Sequence, residues 1–135
     1  MEDPLGRKKS PTLTAAEHRI MEVLWSKGSA TVADVTAAVG EPALAYTTVL
    51  TTLRTLERKG YARHRVAGRA FIYLPAVDRD AVRRGVVGYV LREFFDDSPR
   101  TLMLNLLESE RIDKDELARL RNMIDAAARE ERRPG

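Results

Sequence analysis

The chain contains no cysteine. That excludes disulfides, thiol nucleophiles and cysteine-based metal centres, and it is the usage expected of a cytoplasmic protein. Histidine is almost as scarce. His18 and His64 lie far apart in the sequence, so no metal site is expected and no cofactor is implied. No apolar run approaches the length of a membrane span and no signal peptide is visible, so no stable membrane association is expected. There is no Gly-rich phosphate loop and no nucleophile–base constellation, which leaves an enzyme without support. The acidic residues are abundant, but they fall in helix caps and on exposed faces.

What is present suits a globular protein. Of 135 residues, 44% are hydrophobic and 32% charged, enough for one compact domain or a small domain with an oligomerisation segment. The net charge of +3 is unevenly placed. Residues 1–75 carry eleven Lys/Arg against seven Asp/Glu, whereas residues 76–135 carry twelve against thirteen. Between Tyr46 and Arg69 there are six basic residues and one acid, Glu57. A basic excess confined to one stretch is the footprint of a polyanionic partner. A basic surface kept only for solubility would not be localised.

That stretch opens on a helix expected over Ala45–Lys59. At roughly 100° per residue, Tyr46, Val49, Leu50, Leu53 and Leu56 gather on one side. Thr47, Thr48, Thr51, Arg54, Thr55 and Arg58 share the other. An ordinary solvated face mixes acids with bases and uses strong helix formers, and threonine is a poor one. Short hydroxyls carrying a methyl group suit close approach to a DNA major groove, where they can bond phosphate or bases and meet a thymine methyl. Tyr46, at the start of the helix, joins the candidate contacts. The bland alternative is an exposed helix filled with threonine.

The elements around this helix follow from local signals. Residues 1–11, with Arg7, Lys8 and Lys9, read as a flexible basic arm. Thr14 and Glu17 make a capping box. The helix they open places Ile20, Val23 and Leu24 inward, with Met21 and Trp25 beside them, and stops at Gly28. A second helix starts at Thr31 and turns Val32, Val35, Ala38 and Val39 inward. Gly40-Glu41-Pro42 breaks it. The central helix ends at Gly60. Two β-prone runs, Tyr61–Val66 and Arg69–Leu74, then flank Ala67-Gly68 as a hairpin of unsettled turn type. Arg63 and Arg65 are expected on its outer face, with Ile72 and Leu74 returning to the core. A hairpin tipped by Arg69 after such a helix is a wing, whose arginines can enter a minor groove or grip phosphate.

Beyond Pro75 three amphipathic helices are expected. The first starts at Asp78–Asp80, the second after Ser98-Pro99, and the last at Asp113, boxed by Glu116 and stapled by Ile112 and Leu117. Val86, Val90, Phe94, Leu102, Leu106, Leu107, Leu117, Leu120 and Ile124 form stripes that need a partner, and a second copy is the simplest one. The final ERRPG should fray. The fold class is therefore mainly α with a small β-hairpin. A winged helix-turn-helix DNA-binding domain over 12–75 follows the arm, and a three-helix dimerisation region over 76–135 follows it in turn.

LTAAEHRIMEVLW, AYTTVLTTLRTLERKGY, GRAFIYLPAV and NLLESERIDKDELARLRNMID together resemble the penicillinase-repressor and methicillin-resistance-repressor family of winged-helix regulators, over about Leu13–Arg129. The resemblance implies a homodimer that represses transcription at inverted-repeat operators. Some members control β-lactam resistance and are inactivated by a membrane-bound sensor metalloprotease that cuts an Asn–Phe bond. The matching bond here is Asn105–Leu106, with leucine in place of phenylalanine. The copper-responsive branch carries a cysteine-rich metal motif, which this chain lacks. The competing reading is a winged-helix protein-interaction module that binds no DNA. It would call for an acidic or apolar exposed face on the central helix.

Overall fold

Thr14 opens helix α1 (Ala15–Lys27) as its spacing predicts. Its hydroxyl accepts the Glu17 amide at 3.1 Å, and the Glu17 carboxylate accepts the Thr14 amide at 2.9 Å. The computed structural model describes residues 13–132. The basic arm with Arg7, Lys8 and Lys9 lies outside the described residues, as do the last three residues of the chain. A second reciprocal cap, Thr31 with Asp34, opens α2 (Val32–Ala38). Helix α3 (Tyr46–Lys59) follows, then strands β1 (Ala62–Ala67) and β2 (Ala70–Pro75).

The apolar rows of these elements meet in one core. Ile20, Met21 and Leu24 of α1, Val35 of α2, and Val49, Leu53 and Leu56 of α3 are fully buried. Each such aliphatic side chain contributes about 1.5–3 kcal/mol relative to exposure. Ala38, expected inward, is exposed. It is the last residue of α2, and Val39, the residue after it, packs against the core instead.

The hairpin differs from expectation in phase. Arg63 pairs with Leu74 and Arg65 with Ile72, so all four share one face. The core takes the other parity, Ala62 and Tyr73, both nearly fully buried. Ile72 and Leu74 are only half-buried. In a strand, a shift of one residue exchanges every inward side chain for an outward one. What fixes the phase is a partner far away in sequence. Ala30 and Tyr73 exchange backbone hydrogen bonds of 2.9 and 2.8 Å, which adds a third strand position to the sheet. The loop is Gly68-Arg69 rather than Ala67-Gly68. Gly68 has φ +61° and Arg69 is not in the positive-φ region, the pattern of a type II′ turn with glycine first.

The compact units divide between Val90 and Leu91. This division falls within α4 (Arg79–Phe94). In the first unit the start of α4 is tied to α1. Arg79 pairs with Glu22 at 2.8 Å and lies 5.4 Å over the Trp25 ring, while the Trp25 indole donates to the Val77 carbonyl at 2.9 Å. In the second unit, Asp96 and Asp97 carry the chain through positive φ into α5 (Pro99–Ser109), whose cap is Ser98. Asp113 caps α6 (Lys114–Glu131). The return bond expected from Glu116 is not made, because its carboxylate pairs with Arg119 at 2.7 Å instead. None of α4, α5 and α6 contains a buried residue.

Candidate nucleic-acid interface

Helix α3 divides into two rows. Val49, Leu53 and Leu56 point into the core, while Thr47, Thr48, Thr51, Arg54 and Arg58 are exposed and Thr55 is half-exposed. Tyr46 leaves the apolar side on which periodicity placed it and is 52% exposed, because the first turn of α3 overhangs the core. It therefore stands with the contact candidates. The threonine row is not uniform. The Thr52 and Thr55 hydroxyls donate to the Thr48 and Thr51 carbonyls at 2.7 and 3.1 Å, and Arg58 donates to the Thr55 oxygen at 3.2 Å. Such bonds back to the preceding turn occupy the hydroxyl proton. Thr47, Thr48 and Thr51 are the hydroxyls left to meet a ligand.

The start of α3 is also open. Ala45 provides no side-chain cap, and the first turn has no acid. Backbone amides at an uncapped helix start attract anions. The turn that presents this end is held from behind. Arg19 of α1 donates to the carbonyls of Val39, Gly40 and Pro42.

Arg63 and Arg65 are exposed on the outer face of the hairpin and Arg69 is exposed at its tip. Of the six basic residues in this region, Lys59 is engaged elsewhere. Its ammonium lies 2.8 Å from the Glu17 carboxylate. Burial pushes the Glu17 carboxyl up, but Lys59 and the Thr14 amide and hydroxyl outweigh that and hold it below its ordinary 4.5. Among the described residues, Arg54, Arg58, Arg63, Arg65 and Arg69 have no carboxylate partner. Sequence reasoning missed the contact that joins the two halves of this surface, His64 Nδ1 to Glu57 at 2.7 Å. No local pattern announces a bond between a helix and a strand.

The remaining candidates lie in the C-terminal helices. Asn105 and Leu106 are exposed in the middle of α5. Phe94 is 70% and Ile124 53% exposed, and Leu106, Leu107 and Leu117 are exposed as well. Val86, Val90, Leu102 and Leu120 are half-buried. Val87, Met103, Leu104 and Met123, not picked out by helical spacing, are equally exposed. Among the described residues no group of His, Cys, Asp and Glu is placed to hold a metal, and no helix is long and apolar enough to cross a membrane.

Three helices, a hairpin packed behind the third, and a third strand position contributed ahead of α2 define a winged helix-turn-helix. Residues 13–126 match the penicillinase repressor family, and the chain belongs to it. The chain is 26% identical over 119 residues to the penicillinase repressor of Bacillus licheniformis, covering 87% of this chain and 93% of that protein. It is 21% identical over 118 residues to the methicillin resistance regulatory protein MecI of Staphylococcus aureus, covering 87% and 96%. A solution structure of the DNA-binding domain of the repressor BlaI is 31% identical, covers 54% of this chain and 90% of that one, and has a TM-score of 0.47.

Proposed function

We propose that the protein is a homodimeric, sequence-specific DNA-binding repressor acting at palindromic operators in the cytoplasm. The observation that carries this is the outward face of α3. Thr47, Thr48, Thr51 and Arg54 are free of the core, and among the described residues the wing arginines have no carboxylate partner. In this reading α3 enters the major groove, Thr51 and Arg54 read bases, and Arg58, Arg63, Arg65 and Arg69 hold backbone or minor groove. Tyr46, Thr48 and Thr55 flank the contact. The relatives' names, penicillinase repressor and methicillin resistance regulatory protein, support regulation and point to β-lactam resistance genes as the target class. An exposed acidic or apolar face, which a protein-interaction module would need, is absent from α3 among the described residues. No catalytic role is assigned.

The domains divide the work. Residues 12–75, behind the basic arm of 1–11, bind DNA, and 76–135 dimerise. The apolar side chains left uncovered on α4, α5 and α6 support a twofold contact. Relief of repression follows from cleavage at Asn105–Leu106 by a membrane-bound sensor metalloprotease. The bond is exposed in a helix that buries no residue, so local opening costs little. The test is selection of duplexes from a random-sequence pool by the full-length protein. An enriched inverted repeat, bound by a sedimenting dimer, supports the proposal. No enrichment at low salt overturns it.

A further inference from the structure

Glu57 is the sole acid between Tyr46 and Arg69, and it faces His64. His64 Nδ1 lies 2.8 and 2.7 Å from the two Glu57 oxygens. The pair spans α3 and β1, and both side chains are about two-thirds shielded from water, 29% and 31% exposed. The far side of the imidazole is held too. It stacks on Phe71 of β2 with centroids 4.3 Å apart and 15° between the planes, and lies 5.6 Å from the Tyr73 ring. Among the described residues, few charged and titratable groups lie around it. Glu57 and Arg54 come from α3, and both act on the Tyr73 hydroxyl, which burial pushes up. Tyr73 itself comes from β2. Arg63 and Arg65, its neighbours along β1, project from the opposite face of the hairpin.

We infer that Glu57 and His64 form a positioning latch that fixes the wing against the recognition helix and that tightens DNA binding when His64 gains a proton. The inference rests on the DNA-binding reading above. With His64 neutral, its Nδ1–H donates to Glu57 and the latch is closed, but the carboxylate leaves a full negative charge on α3, three residues from Arg54. A protonated ring makes the same bond charge-assisted, roughly twice as strong as a neutral one. It also removes the net negative charge of the pair. Both effects favour a polyanion, so the duplex and the proton bind cooperatively, each raising the affinity of the other. Histidine is the side chain whose charge changes between about pH 5 and 8.

The experiment measures affinity and its salt dependence from about pH 8 to about pH 5.5, the histidine range. The probe is the duplex selected by the full-length wild-type protein, and thermal melts confirm folding of each variant. The wild type binds several-fold more tightly at the acid end, and the difference shrinks as salt screens the charge of the pair. His64→Gln abolishes the difference, while His18→Gln, on α1 away from this surface, keeps it. Glu57→Gln retains an acceptor for the latch and loses the charge. It therefore binds at least as tightly as the wild type at the alkaline end of the range. Glu57→Ala has the same charge but no latch, and binds more weakly than Glu57→Gln. A His64→Gln profile like that of the wild type, or equal affinity of Glu57→Ala and Glu57→Gln, overturns the latch. A flat wild-type profile on a selected duplex does the same while leaving the DNA-binding reading intact. Failure to select any duplex at any pH removes the DNA-binding reading, and the latch with it.

Discussion

Replacing Lys59 with methionine removes the cation that joins the end of α3 to the start of α1. The Glu17 carboxylate left behind is 6% exposed and Lys59 itself is 34% exposed. Breaking a buried pair from one side costs about 3–5 kcal/mol when the stranded charge is fully shielded. Here the carboxylate keeps the Thr14 amide at 2.9 Å. Water screens the partly exposed lysine, so the expected loss is about 2 kcal/mol. Urea unfolding at neutral pH should show that loss without a change in slope, and the melting temperature should fall by roughly 5–10 °C. The acid limb gives a second reading. In the wild type the Glu17 carboxyl sits below 4.5, so its contribution is complete above that pH and disappears as pH falls through the folded-state value. In Lys59→Met the upward push of burial is opposed by Thr14 alone, and stability declines from a higher pH. Coincident urea midpoints at neutral pH, or acid limbs that superimpose, would refute the reasoning.

Arg54→Ala should cost about 1–3 kcal/mol in binding the selected operator while leaving random duplex nearly unaffected. Unchanged operator affinity in a folded variant would show that α3 faces DNA differently. Arg69→Ala should weaken specific and random duplex alike and flatten the salt slope by about one unit. An effect confined to one base position would assign it a reading role instead. Leu107→Asp with Ile124→Asp should yield monomers in sedimentation and lower palindrome affinity by roughly 10²–10⁴, the gain that linking two half-site binders supplies. A variant that stays dimeric places the interface elsewhere. Gly68→Ala meets no atom within 4 Å, but φ is +61°, so it should destabilise the hairpin by about 1 kcal/mol through backbone strain alone. A neutral unfolding midpoint contradicts the turn assignment.

Much of the fold could be read from residues that act on their immediate neighbours. Thr14 with Glu17, Gly28, Gly60 and Ser98-Pro99 set helix ends through bonds within a few positions, so the sequence displays them directly. The outward row of α3 was equally legible, because one side of its helical period is apolar and the other is not. The phase of β2 was not. AFIYLP is apolar in both alternations, so pattern cannot choose between Ile72 with Leu74 and Phe71 with Tyr73. The choice is made by Ala30, which lies far earlier in the chain. The same limit hid the two pairs that shape the site. Glu17 and Lys59 are 42 residues apart, and Glu57 meets His64 only because Gly60 reverses the chain between them. The half-formed box at α6 failed for another reason. Arg119, one turn along, competes for the same Glu116 carboxylate.

The separation of α3 into an anchored row and a free row sets how this protein can change. Val49, Leu53 and Leu56 hold the helix, and Arg19 holds the turn before it. Thr47, Thr48, Thr51 and Arg54 share in neither task. If α3 is the recognition helix, as proposed, exchanging them alters what it recognises and leaves the scaffold's stability within the small range typical of surface positions, about ±0.5 kcal/mol. Duplicated copies of such a chain can therefore acquire new targets one side chain at a time, with each intermediate still folded and still repressing something.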